Sequence, residues 1–151
     1  MPGFKKGGMF ILSSPSGAGK TTLVKKISRN RNYIVSISHT TRPPRPSEKN
    51  GKDYFFISKN NFKKLIKKKE FLEHAKVFDN YYGSSKKIII KKLMQGKNII
   101  FDIDWQGTRQ IRNKKLNFDL TTIFILPPSK NELLKRLIKR EKKNMKTVKK
   151  R

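Results

Sequence analysis

Two hydrophobic periods alternate along this chain. Phe10-Ile11-Leu12 is a short apolar run closed by Ser13 and Ser14, and Leu23, Val24 and Ile27 follow at helical spacing, which predicts strand, tight loop and helix. Tyr33-Ile34-Val35-Ser36-Ile37-Ser38 alternates apolar with small polar residues and predicts a strand. The prolines of Arg42-Pro43-Pro44-Arg45-Pro46 fix the backbone and exclude helix, leaving an extended loop. Residues 53–58 predict a short strand, followed by a helix through Phe62, Leu65 and Ile66 capped by Asn60 or Asn61. Residues 70–78 and 80–85 mix aromatic and polar positions in the manner of a sheet with a turn. A helix over 84–95 is closed by Gly96.

Asn98-Ile99-Ile100-Phe101-Asp102-Ile103-Asp104 is a buried-type strand, 106–111 a helix, and Thr121-Thr122-Ile123-Phe124-Ile125-Leu126 a further core strand stopped by Pro127-Pro128. Ser129 and Glu132 form a capping box before a helix that carries Leu133, Leu134, Leu137 and Ile138 on one face. No repeat or interdomain linker interrupts this order.

Composition narrows the picture. A chain of 151 residues accommodates one domain with a real core. The hydrophobic fraction of 34% is low, but lysine rather than Pro/Ser low complexity makes up the difference. No apolar run is long enough to span a membrane and no signal-peptide pattern is present, so a cytoplasmic location is expected. The absence of cysteine excludes disulfides and thiolate metal sites. The net charge of +28 favours salt-dependent attraction of any polyanion. Its lysines are scattered over every polar face, as in Lys86-Lys87-Ile88-Ile89-Ile90-Lys91-Lys92, which reads as a compositional background rather than a specific nucleic-acid surface.

Chemistry concentrates first in Ser14-Pro15-Ser16-Gly17-Ala18-Gly19-Lys20-Thr21, set between the first strand and first helix. Glycines allow successive backbone N–H groups to converge on phosphate oxygens, the new helix presents its unpaired N–H groups, and Lys20 adds a cation. Thr21 would place its hydroxyl on Mg²⁺. One letter departs from the full phosphate-loop pattern, with Ser14 where a glycine stands. Arg42 and Arg45, on the stiffened loop, suit bidentate contact with a second phosphate. Glu48, Glu73 and Asp104 stand out in so basic a chain as acceptors for a ligand's N–H groups, such as the N1–H and amine of guanine. Asp102 ends its strand where phosphate-loop folds deliver a carboxylate to Mg²⁺ or its waters. His39 and His74 lack the spacing of a metal pair.

Taken together, these residues resemble bacterial guanylate kinases. The markers are Ser13-Ser14-Pro15-Ser16-Gly17-Ala18-Gly19-Lys20, Ser38-His39-Thr40-Thr41-Arg42, Gly51-Lys52-Asp53-Tyr54, Asn80-Tyr81-Tyr82-Gly83, Asp102-Ile103-Asp104-Trp105-Gln106-Gly107 and Ile125-Leu126-Pro127-Pro128-Ser129. They run in order without a gap from about Met9 to Arg151, and the family tolerates a small residue where Ser14 stands.

The resemblance implies phosphoryl transfer from ATP to GMP with Mg²⁺, giving ADP and GDP. It implies an α/β fold with a phosphate-loop parallel-sheet core, helices on both faces, a small mixed-sheet GMP-binding subdomain and an incomplete helical lid. Residues 14–21 would wrap the ATP phosphates. Ser38, Arg42, Arg45, Tyr54 and Tyr82 match ligands of the GMP phosphate, Glu73, Ser84 and Asp104 match residues that read guanine, and Glu48 matches another GMP-site residue. Arg136, Arg140 and Arg151 match basic lid positions that act with Lys20 and Arg42 on the transferred charge, while Thr21 and Asp102 serve the metal.

The expected organisation is one domain over 1–151, with a core at about 8–37 and 96–128, a GMP-binding region at about 38–95 and a partial lid at about 129–151. Family members continue past the position of Arg151, so a lid remainder, a last core strand, part of the adenine site and a terminal helix are expected to lie outside this sequence. The rival expectation is a catalytically impaired or silent nucleotide- or protein-binding fragment of the same fold.

Overall fold

The structure, a computed structural model, describes residues 6–140. Its centre is a four-stranded parallel sheet in the order β2-β7-β1-β8, built from β1 (Met9–Ser13), β2 (Tyr33–Val35), β7 (Asn98–Asp102) and β8 (Leu120–Phe124). Strand periodicity divides the core between the two faces. Met9, Ile11, Ile99 and Phe101 point to one side, where they pack with Ile89 and Leu93 of α3 (Lys86–Met94) and Ile111 of α4 (Trp105–Asn113). Leu12 and Ile100 point to the other and meet Val24 of α1 (Lys20–Ile27). Apolar residues on both faces of β1 and β7 are what a sheet covered by helices on both sides requires.

A second, mixed sheet has the order β4-β3-β6-β5, from β3 (His39–Thr40), β4 (Phe55–Phe56), β5 (Phe71–Val77) and β6 (Asn80–Ser85). Strand β3 runs parallel to β4 and antiparallel to β6, and β5 and β6 form a hairpin. Phe62 of α2 (Lys59–Lys67), fully buried, stacks on Phe71 and Tyr81 at ring-centre distances of 4.6 and 5.4 Å and closes one face of this sheet. Such a buried aromatic contributes on the order of 2–3 kcal/mol over its exposed state. The helix α5 (Lys130–Arg140) follows β8.

The structure corrects several sequence expectations. The alternating run 33–38 is not one strand: pairing with β7 ends at Ser36, whose N–H donates to the Ile100 carbonyl, and by Ser38 the carbonyl accepts from Phe55 in the other sheet. A period of two persists through a segment that changes sheets, so periodicity alone cannot mark the change. The strand expected over 53–58 narrows to Phe55–Phe56, and α3 starts at Lys86 because Ser84 and Ser85 still belong to β6.

Helix α2 is capped by Ser58, whose hydroxyl accepts from the Asn61 N–H, and not by Asn60 or Asn61, which lie in its first turn. The capping box before α5 is half formed: Ser129 Oγ accepts from the Glu132 N–H, but the Glu132 carboxylate turns forward to Arg136. Strand β8 joins the parallel sheet as expected; among the described residues it is the outer strand, and there Ile123, Phe124 and the following Leu126 are exposed. Gly96 does close α3: its φ is 75°, its N–H donates to the Leu93 carbonyl, and Lys97 donates to Lys92 in a Schellman arrangement.

Candidate functional site

The phosphate loop leaves the carboxyl end of β1, and Asp102 ends β7 beside it, in register with Leu12. Sites in open parallel sheets form outside these strand ends. The Ala18 N–H donates to the Pro15 carbonyl, and Gly17 and Gly19 take φ values of 87° and 103°, left-handed conformations that favour glycine. Lys20 and Thr21 then open α1. Lys20 Nζ lies 2.7 Å from Asp102 Oδ1 and 3.4 Å from the Ile103 carbonyl oxygen, so the loop cation rests against the expected metal carboxylate.

Helix α5 lies over this loop. A Cβ at Gly17 would fall 3.1 Å from Leu137 Cδ2 and 3.3 Å from Leu133 Cδ1, and Arg136 donates both to Glu132 (2.7 Å) and to the Ala18 carbonyl (3.4 Å). Gly17, Gly19, Thr22, Leu23, Lys26 and Arg136 line a cleft of about 460 Å³. Arg140 ends α5, but its side chain, like the whole of Arg151, lies outside the described residues.

A cation cluster is held together beside the second sheet, on the loop that follows β3. Arg42 donates to both oxygens of Glu48, at 2.7 and 2.9 Å, and the Arg45 N–H donates to Glu48 Oε2 at 2.8 Å. The Arg42 guanidinium also lies 5.4 Å from the Tyr54 ring centre, and Tyr82 lies 6.0 Å from that ring. Burial lowers the Arg42 pKa, but the bond to Glu48 and its charge outweigh this and raise it. Burial likewise favours the neutral form of Glu48, yet Arg42 and the Arg45 N–H leave its pKa lowered. Tyr54 is pushed upward by burial first and by the negative charge of Asp102 second, an interaction that connects this cluster to the phosphate-loop side.

The carboxylate group is the most enclosed part of the site. Glu73 on β5 is 3% exposed and faces Ser84 across the hairpin, accepting from its hydroxyl at 2.6 Å, while Ser38 Oγ lies 3.3 Å from Ser84 Oγ. A register shift between Phe71 and Glu73 re-aims the strand immediately before this residue. Burial raises the Glu73 pKa to about 7, the Ser84 hydroxyl opposes the rise, and the nearby charge of Asp104 adds to it. Asp104 caps α4, accepting from the Gln106 and Gly107 N–H groups at 3.0 and 3.1 Å and from Gln106 Nε2 at 3.0 Å.

The expected residues therefore gather into three groups: the loop with Lys20 and Asp102; Arg42, Arg45, Glu48, Tyr54 and Tyr82; and Ser38, Glu73 and Ser84 beside Asp104. Ser38 stands with the carboxylate group rather than with the guanidinium cluster. Sequence reasoning passed over Gln110, whose only signal is its position six residues beyond Asp104, and met Gly107 only as the last letter of a family marker, without a role. Among the described residues no cluster of three or more His, Cys, Asp or Glu side chains forms a ready-made metal cage, and no helix is long and apolar enough to cross a membrane.

Comparison with known proteins agrees with this arrangement. A sequence model of the family described as guanylate kinase matches residues 6–151. The chain is 53% identical over 132 residues to a guanylate kinase of Hydrogenovibrio crunogenus, covering 87% of this chain and 63% of that protein. It is 52% identical over 138 residues to one of Buchnera aphidicola from Schizaphis graminum, covering 89% and 66% respectively. The crystal structure of guanylate kinase from Anaplasma phagocytophilum superposes with a TM-score of 0.71 at 34% identity, over 91% of this chain and 66% of that one. The chain thus spans just under two thirds of the length of these relatives, and by sequence and fold alike it belongs to the guanylate kinase family.

Proposed function

We propose that this chain carries the substrate site of an ATP:GMP phosphotransferase that converts ATP and GMP to ADP and GDP. The observation that carries the reading is the buried Glu73–Ser84 pair beside Asp104, on the small sheet that also bears Tyr82 and whose flanking loops carry Arg42, Arg45 and Tyr54. A carboxylate accepts from the N1–H and amine of guanine side by side; adenine offers an acceptor at N1 and leaves that carboxylate unpaired. The guanidinium and phenol groups suit the phosphate at the nucleotide's other end.

Residues 14–21 would receive the ATP phosphates on backbone N–H groups, with Lys20 moving from Asp102 to follow the transferred charge. An oxygen of the GMP phosphate attacks the γ-phosphorus, the bond from that phosphorus to the β–γ bridging oxygen breaks, and ADP leaves. No covalent intermediate on the protein is required, so the residues position the reactants and offset charge. The Thr21 hydroxyl and the partly exposed Asp102 carboxylate are the hard oxygen donors that suit Mg²⁺, which binds through few protein ligands and completes its shell with phosphates and water. When bound, the ion would neutralise phosphate charge.

Arg136, already at the phosphate loop, with Arg140 and Arg151 further along, would act from the lid. In this reading residues 8–37 and 96–128 form the core, 38–95 the GMP-binding region and 129–151 part of the lid. The protein works in the cytoplasm. The test is ADP release with GMP as acceptor. Lys20→Ala should lower turnover about 100-fold or more while leaving GMP binding within a small factor, as expected when one charge-stabilising donor is lost. Equal turnover in the variant would overturn the role of Lys20 and, with it, the assignment of residues 14–21 to ATP.

A further inference from the structure

We infer that Gln110 is a positioning residue for guanine recognition: it holds Glu73 in place by pairing with the free edge of β5. Among the described residues β5 is the last strand of its sheet, so the backbone groups that face away from β6 have no strand partner there. His74, next to Glu73, is such a residue. Its N–H donates to Gln110 Oε1 at 3.1 Å and its carbonyl accepts from Gln110 Nε2 at 2.6 Å. A primary amide carries one acceptor and two donors on a single plane and matches the peptide group of a strand. Its orientation is fixed because the N–H must meet oxygen and the carbonyl must meet N–H. One side chain of α4 therefore stands in for a neighbouring strand, at a single position beside the enclosed carboxylate.

The rest of this helix face serves the same register. Gly107, one turn before Gln110, lets the helix approach: a Cβ there would fall 2.5 Å from Glu73 Oε2. Gln106 Nε2 bonds Asp104 Oδ2 at 3.0 Å and reaches the Lys76 carbonyl at 3.5 Å, two residues along the same edge. Asp104 caps α4 just beyond β7 of the parallel sheet while Glu73 lies in β5 of the mixed sheet, and α4 is the rigid piece that sets one carboxylate against the other. Gln110 fixes the end of that piece to the strand bearing Glu73.

The inference rests on the guanine-reading role proposed for Glu73. The experiment measures binding of GMP and of AMP to the full 151-residue chain by calorimetry, in the wild type, Gln110→Met, Gln110→Asn, Glu73→Gln and the double variant Glu73→Gln/Gln110→Met. Methionine keeps the length and loses both bonds; asparagine keeps the amide and loses the reach. Either single change at Gln110 should lower the preference for GMP over AMP by about tenfold while AMP affinity stays within about twofold. The double variant should lose no more preference than Glu73→Gln alone, because the two act through one carboxylate. A purely structural role would move both affinities together and add to Glu73→Gln, and either result overturns the inference. Gln110→Asn carries the test if Gln110→Met fails to fold. An undiminished preference in a folded Gln110 variant overturns the inference alone; a wild type without preference overturns the guanine-site reading and this inference with it.

Discussion

Glu73 carries an electrostatic cost that follows from its position. Burial holds its pKa near 7, above the ordinary 4.5, so between those values the folded protein keeps a proton that the unfolded chain releases. The stability this carboxyl contributes is complete below about pH 4.5 and is lost as the pH rises through 7. Glu73→Gln removes the dependence: urea unfolding of the two proteins should show the wild type losing about 3 kcal/mol relative to the variant between pH 5 and pH 8. A constant difference would mean that the group is not enclosed in this way. The same titration acts on binding, since the guanine N–H groups need the ionised form. The GMP-over-AMP preference should fall as the pH drops below 7, while the shared phosphate contacts cancel in the ratio. An acidic residue in a strongly basic chain drew notice to Glu73 from the sequence alone. Gln110 could not be found that way, because its partner is a backbone group 36 residues distant and nothing in the local pattern marks a side chain that completes a strand edge.

At the level of helices and strands, caps and edges decide more than hydrophobic period. Ser58, Asn60 and Asn61 all have side chains able to cap α2, and the chain takes Ser58 because its extended backbone, with ψ of 155°, aims the hydroxyl at the Asn61 N–H. Thermal unfolding should show Ser58→Ala costing about 1 kcal/mol, with Asn60→Ala and Asn61→Ala near neutral. The reverse order would restore the sequence expectation. The parallel strands β1 and β7 were legible because residues buried on both faces leave an unbroken apolar run. Strand β8 has similar letters at Ile123, Phe124 and Ile125 but is the outer strand among the described residues, and a run of apolar residues does not state how many neighbours its strand has. The phosphate loop was legible for a different reason. Its left-handed glycines and the cation after them are local requirements, written within a few consecutive residues.

Across the whole molecule, two sheets divide the work. The parallel sheet presents the phosphate loop and Asp102 at its strand ends, the mixed sheet presents the guanidinium cluster and Glu73, and α4 joins them through Asp104 at one end and Gln110 at the other. The net charge of +28 would draw any anionic ligand to this surface, so affinity for a nucleotide is not by itself a sign of the site. Discrimination between two ligands of equal charge is. The deciding measurement is a pair of calorimetric titrations of the chain with GMP and with AMP at roughly 0.3 M salt, where long-range attraction is screened. GMP should bind about 100-fold more tightly, the fold-change that corresponds to a cost of about 3 kcal/mol for leaving a buried hydrogen-bonding group unpaired. Equal affinities for the two nucleotides would contradict a guanine site built on Glu73, Ser84 and Asp104.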